Sequence, residues 1–227
     1  MDGTRALFSD FVKALPGPVV ATIVPYPTEW PLTYLELEEL VQRATRNSEP
    51  FILVAESYST PLAIKFAAAQ PANLAGLVLC AGFASSPIRG LRRALGFLLA
   101  PVLFRFPLPD FAVRFWLVGA DVPNSLLATG RDSISSVQPS VLAARLRDVL
   151  RCDARADLSR IGVPILCIRA KSDRLVGTSC LEEIRRIKPA GKVEVVDGPH
   201  LILQRQPRIA AKVVAEFARS CCPDWIG

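Results

Sequence analysis

The chain has 227 residues, 51% of them hydrophobic and 21% charged, with a net charge of +6. That balance excludes a disordered or fibrous chain, and the length suits one α/β domain better than two. Its single histidine, His200, excludes histidine-rich metal centres and multi-histidine proton relays, so any chemistry that needs an imidazole must use it.

Residues 19–24 (V-V-A-T-I-V) are mostly β-branched and close on Pro25 and Pro27, which predicts a buried strand. Thr33 and Glu36 then form a capping-box signature ahead of a helix whose apolar stripe is Leu37, Leu40, Val41 and Ala44. The run 51–54 (F-I-L-V) is apolar on both faces, as in a central strand of a covered parallel sheet. A helix over 61–70 is stopped by Pro71. Further strands are predicted at 74–81, 165–169 and 192–196, with helices at 181–187 and 207–219. Strands alternating with helices define an α/β fold with a doubly wound, mostly parallel sheet.

The stretch 85–157 departs from this rhythm. It shows no strand pattern and reads as short helices at 91–104, 111–118, 125–135 and 141–150, punctuated by prolines. The expected organisation is therefore a core in two parts, 1–84 and 158–227, around a helical cap at 85–157. The first half of the cap holds Arg89, Arg92, Arg93, Arg105 and Arg114 against one acid, Asp110, so most of the net charge lies there. These arginines are interleaved with Leu91, Leu95, Phe97, Leu98, Leu99, Phe104, Phe106 and Trp116. The plain reading is a lid with its apolar face on the sheet and its arginines in water. The other is a surface that admits an acyl chain and holds an anionic headgroup or an acyl carrier.

The longest apolar run, 94–104, has 11 residues and contains Pro101, well short of the roughly 18 that cross a bilayer. No transmembrane segment and no signal peptide are expected. The six cysteines form no C-x-x-C pair. Cys80 and Cys167 fall in strand-like runs, and Cys221 and Cys222 are adjacent, so free thiols in a reducing, cytoplasmic setting are expected. Nucleic acid is not expected as a partner: no recognition motif accompanies the charge.

The chemistry concentrates at three places. The strand 51–54 runs through Ala55-Glu56-Ser57-Tyr58-Ser59 into a helix. Strand, sharp turn and helix with a serine at the turn make a nucleophile-elbow context. The usual pattern is G-x-S-x-G. Here it reads A-x-S-x-S, which keeps small residues where strand and helix nearly touch. Ser57 is equally a plausible helix cap. A serine nucleophile needs a base, and the base needs an orienting group. His200 lies in Gly198-Pro199-His200, just after the last strand, at the end of a parallel sheet where functional groups gather. Asp173 follows the strand 165–169 on the matching loop. Asp197 is the rival acid but sits too near His200 in sequence. Ser57, Asp173, His200 is the chain order of a Ser-Asp-His triad on an α/β-hydrolase sheet.

Taken together, these segments resemble the α/β-hydrolase superfamily, and more narrowly its small soluble esterase-like members. Their strand-end loops read D-G-T near the start, E-S-[FY]-S at the elbow, D-R-L-V at the acid and G-P-H at the base. Asp2-Gly3-Thr4, Glu56-Ser57-Tyr58-Ser59, Asp173-Arg174-Leu175-Val176 and Gly198-Pro199-His200 match these in order. The resemblance implies a serine hydrolase of carboxylic esters or thioesters. Ser57 would be the nucleophile, His200 the base and Asp173 its orienting acid, with no metal or organic cofactor. It also implies an oxyanion hole built from the backbone N–H of Tyr58 and one from the D-G-T turn. In such proteins a strand precedes that turn, whereas here Met1 stands immediately before Asp2, so Met1 or Asp2 would stand at the second donor position. The expected reading is a truncated or misassigned start. The other readings are a catalytically impaired binding protein on the same fold and a lipid-acting enzyme docked through its cap.

Overall fold

The computed structural model describes residues 3–17, 19–46, 49–106 and 109–222. A 3₁₀ turn at Ala6–Phe8 leads into α1 (Ser9–Ala14), and after a long extended stretch α2 (Tyr34–Thr45) begins. The predicted capping box is present. Thr33 Oγ1 accepts from the Glu36 N–H and the Glu36 carboxylate accepts from the Thr33 N–H, so two N–H groups that the helix itself leaves unpaired find partners. β1 (Phe51–Glu56) is followed by a 3₁₀ turn at Ser57–Ser59, α3 (Thr60–Ala68) and β2 (Leu74–Cys80). Then come α4 (Gly90–Leu103), α5 (Asp110–Val113), a π-helical turn at Arg114–Val118, α6 (Asn124–Ser135), α7 (Pro139–Arg151) and α8 (Arg155–Arg160). The chain closes with β3 (Ile165–Ala170), α9 (Thr178–Ile187), β4 (Lys192–Val196), α10 (Ile202–Arg205) and α11 (Pro207–Cys221).

The four strands form one sheet in the order β1-β2-β3-β4, all parallel. Alternate residues of β2 face opposite layers, as the two-residue period of a strand requires. Leu77 and Leu79 pack with Ala63, Ile64 and Ala67 of α3, Leu158 of α8 and Ile184 of α9. Val78 and Cys80 pack on the other face with Phe11 of α1 and Val214 and Phe217 of α11. The result is a three-layer α/β/α stack. All six cysteines are free; burial pushes the Cys167 thiol up to about 12 and raises Cys80 as well, so both behave as small apolar core residues.

Two expectations about the front of the chain are corrected. Residues 19–24 contain no strand, and Val20 is almost fully exposed. A strand exists only through a neighbour that takes up its backbone hydrogen bonds, and no described strand pairs with this run. For the same reason β1 is not central. It is the end strand of the sheet, and Phe51, Ile52, Leu53 and Val54 are half-buried. Its open side faces a cavity that residues 19–24 also line.

The helices between β2 and β3 leave and rejoin the core at one neck. Ser85 bridges Asp153, the Ala154 N–H donates to the Ala84 carbonyl, and the Ser86 N–H donates to the Cys152 carbonyl. Within this segment α4 turns the opposite way from the plain expectation. Its small inner face, Gly96 and Ala100, lies on α7 near Leu150, while Leu91, Leu95, Leu98 and Leu99 point outward. The leucines leave too wide a helix for a close approach, and the small residues one turn apart permit it.

Candidate active site

Because the strands are parallel, their carboxyl ends lie at one edge of the sheet, and three of the loops there carry the predicted residues. Ser57 follows β1 directly, with φ at +53°, in the left-handed region that a serine seldom adopts. Thr60 holds this turn in place: its hydroxyl donates to the Ser57 carbonyl and accepts from the Phe83 N–H. Asp173 lies on the loop after β3, and His200 follows β4. The two loops run side by side, with the Ser172 N–H donating to the Gly198 carbonyl.

These loops bring Ser57, His200 and Asp173 into one hydrogen-bonded chain. His200 Nε2 is 2.8 Å from Ser57 Oγ, and His200 Nδ1 is 2.8 Å from Asp173 Oδ2. The histidine and aspartate side chains are both buried. The other aspartate oxygen accepts the N–H groups of Leu175 and Val176 at 2.8 and 2.9 Å, so the carboxylate cannot rotate away from the ring. Asp197, the rival acid, is exposed. With Nδ1–H donating to Asp173, Nε2 carries the free lone pair and accepts from the Ser57 hydroxyl.

Tyr58 is buried beneath the turn. Its ring stacks on Tyr34 at 5.1 Å, its carbonyl accepts from the Tyr34 hydroxyl at 2.8 Å, and its own hydroxyl donates to Asp148 at 3.3 Å. Burial pushes the Tyr58 hydroxyl upward in pKa, which keeps it a neutral donor. The peptide after Ser57 is therefore pinned from below. Gly3 and Thr4 of the D-G-T stretch line the same cavity as Ser57 and His200. Gly3 has φ +73°, and a Cβ there would stand 2.8 Å from Cβ of Tyr26, so glycine is required. Met1, expected as the second oxyanion donor, lies outside the described residues.

Burial raises Asp148 to about 6, against the pull of Tyr58 and nearby arginines. An unfolded aspartate titrates near 3.9. Between these values the folded chain holds a proton that the unfolded chain releases, so stability falls as pH rises through this window. Asp148→Asn is expected to remove that loss. After discounting for partial exposure, the gain at pH 7.5 relative to pH 4 is about 1 kcal/mol, measurable by urea unfolding at the two pH values.

Glu56 belongs to the elbow motif, but its part could not be read from it. Its carboxylate is buried and accepts from the Leu203 N–H at 3.1 Å and from Gln204 Nε2 at 2.9 Å. It thus ties the end of β1 to α10, the helix directly after His200. Burial pushes its pKa up; the hydrogen bonds from Gln204 and Leu203, and the nearby His200, pull it partly back. Glu56→Ala is expected to leave two buried donors without an acceptor and to cost roughly 2–4 kcal/mol. Glu56→Gln is expected to fold much as the parent does. Among the described residues Gln204 Oε1 has no partner, so that amide turns over to accept from the new one. Thermal melts of both variants check the contrast.

A cavity of about 1810 Å³ is lined by Ser57 and His200, by β1 and by the helical segment between β2 and β3. Its lining is largely apolar, with Leu127, Leu142, Trp116 and Leu117 from the helices between β2 and β3, and it includes Arg92, Arg105 and Arg131. The same helical segment also touches the histidine loop, since the Leu201 N–H donates to the Leu117 carbonyl.

No protein-family model matches the chain, and no curated protein matches it. Solved structures do. The chain is similar to a malate-bound thermophilic esterase from Thermogutta terrifontis, at 19% identity over 96% of this chain and 86% of that one, with a TM-score of 0.76. It is similar to a bromoperoxidase from Bacillus anthracis, at 13% identity over 94% and 87%, TM-score 0.76. It is also similar to a carboxylesterase of the thaumarchaeon Nitrososphaera gargenis, at 11% identity over 98% and 88%, TM-score 0.73. These are α/β-hydrolases, and the chain has the α/β-hydrolase fold.

Proposed function

We propose that this chain is a serine hydrolase acting on carboxylic esters or thioesters. The observation that carries the reading is the unbroken chain from Ser57 Oγ through His200 to Asp173, with both links at 2.8 Å, on a serine held at a left-handed turn. The esterase and carboxylesterase among the structurally similar proteins support it.

In the proposed reaction His200 Nε2 takes the proton from Ser57 as Oγ attacks the acyl carbonyl. The imidazolium that forms is stabilised by Asp173, which keeps the ring in place and does not itself take the proton. The carbonyl oxygen becomes an oxyanion and accepts from the Tyr58 N–H, with the second donor assigned to Met1. Collapse of the tetrahedral intermediate expels the alcohol or thiol, which receives the proton from His200. The same imidazole then removes a proton from water, which attacks the acyl-enzyme; Ser57 leaves with that proton and the carboxylic acid is released.

Residues 85–157 act in this reading as a helical cap between the core segments 1–84 and 158–227, and the cap sets the shape of the acyl pocket. The apolar lining and large volume favour an acyl chain over a small polar acyl group. The free thiols suit a cytoplasmic setting. Hydrolysis of p-nitrophenyl esters with acyl chains of 2 to 16 carbons tests the proposal. Turnover is expected to rise from the shortest ester to a medium-length optimum. Release no faster than buffer alone across the whole series would overturn it.

A further inference from the structure

α4 is amphipathic, but its apolar stripe faces away from the protein. Leu91, Leu95, Leu98, Leu99 and Val102 recur at helical spacing on the outer face. Leu91 is 75% exposed and Leu98 71%, whereas Ala100 on the opposite face is fully buried. The chain beyond α4 adds Phe106, Phe111, Phe115 and Trp116, all exposed; the last two meet edge to face at 5.0 Å. A cluster of exposed large apolar side chains of this kind on a folded chain marks an interaction site.

The charge around it has one sign. Arg92, Arg93 and Arg105 are exposed, and among the described residues no acid pairs with them. The one acid of this region, Asp110, is already paired with Arg131. Leucines and aromatics flanked by arginines match the two zones of an anionic bilayer surface: acyl chains below, phosphate headgroups above. A helix of 14 residues is too short to span a bilayer, and no described helix is long and apolar enough to do so. It is long enough to lie in the interface.

The position of the patch supplies the last observation. Leu103, Arg105, Phe106 and Trp116 are exposed and also line the cavity that reaches Ser57. A surface laid on lipid here would open the cavity onto the bilayer.

We propose that α4 and the aromatic segment after it dock this chain on anionic lipid bilayers, with the cavity mouth turned to the membrane. Docking stands on the surface alone. That an acyl chain then passes from the bilayer to Ser57 without crossing water rests on the hydrolase reading.

Co-sedimentation with vesicles of phosphatidylcholine alone, and of phosphatidylcholine with 30% phosphatidylglycerol, tests the docking. The expected result is at least tenfold stronger partitioning to the anionic vesicles, weakened by raising salt from 0.1 to 0.5 M. The double variant Arg92→Glu, Arg93→Glu is expected to lose the preference for anionic lipid. The triple variant Leu91→Ser, Leu98→Ser, Phe111→Ser is expected to lose binding while keeping the parent melting temperature, since these side chains face outward. Ser57→Ala is expected to bind as the parent does, so failure of the hydrolase reading leaves this result standing. Equal binding to both vesicles, or to neither, would overturn the proposal. So would a dimer in sedimentation velocity without lipid that the triple variant dissolves, because a second copy would then be the occupant. Stoichiometric binding of an acidic acyl carrier protein by a chain that ignores vesicles would overturn it too.

Discussion

Ser57→Ala is expected to lower kcat/KM on an ester substrate by about 10⁴-fold or more, with little change in the melting temperature. Removing Oγ deletes the attacking atom and leaves His200 Nε2 facing a gap of one oxygen. The fold has little at stake. Alanine at φ +53° meets the same steric cost as serine, and the Thr60 hydroxyl still grips the carbonyl of residue 57. What remains would be any catalysis by substrate positioning and the Tyr58 N–H. The measurement is initial-rate kinetics on the p-nitrophenyl ester that the parent turns over best. A variant that keeps more than about a tenth of parental kcat/KM would place the reaction at another nucleophile.

Asp173→Asn is expected to cost about 10⁴-fold in kcat for a different reason. The carboxylate has two sets of partners: one oxygen takes the Leu175 and Val176 N–H groups and the other takes His200 Nδ1–H. Asparagine has a single carbonyl oxygen. The two backbone donors claim it, so the amide NH₂ turns toward Nδ1. An NH₂ group cannot accept, and the ring must shift its proton to Nε2 to satisfy it. Nε2–H then points at Ser57 and has no lone pair to take the serine proton. Geometry survives and chemistry does not. The expected signature is a large fall in kcat, little change in KM, and a crystal or NMR view of His200 in the Nε2–H tautomer. A variant with parental kcat would remove Asp173 from the mechanism.

Much of the core was legible because local pattern and tertiary role agree there. Four of the five predicted strands formed, and each loop after β1, β3 and β4 carried one candidate site residue into the same place. Parallel strands explain why: in a sheet of this kind a residue just past a strand end is at the site whatever its distance along the chain. The run at 19–24 failed for the converse reason. Its β-branched composition meets only half of what a strand requires, and the other half is a hydrogen-bonding neighbour, which composition does not report. The role of Glu56 is not legible in the elbow motif because its partner, Leu203, is 147 residues away along the chain. A carboxylate inside an otherwise apolar strand end was the available signal that something distant must pair with it. α4 was read with its leucines inward, since apolar residues are usually covered. The small residues Gly96 and Ala100, one turn apart, were the sign that the close-packed face lay on the other side.

In the proposed mechanism Ser57 is a nucleophile activated by His200 and Asp173. The most direct measurement is labelling of the folded chain with an alkyl fluorophosphonate, followed by mass spectrometry of its peptides. The reagent phosphonylates a serine only where a base takes its proton and leaves other serines untouched. One label per chain is expected, on Ser57, lost in Ser57→Ala and strongly slowed in Asp173→Asn. A chain that takes up no label under conditions where a control serine esterase is fully modified, or that carries it on another residue, would contradict it.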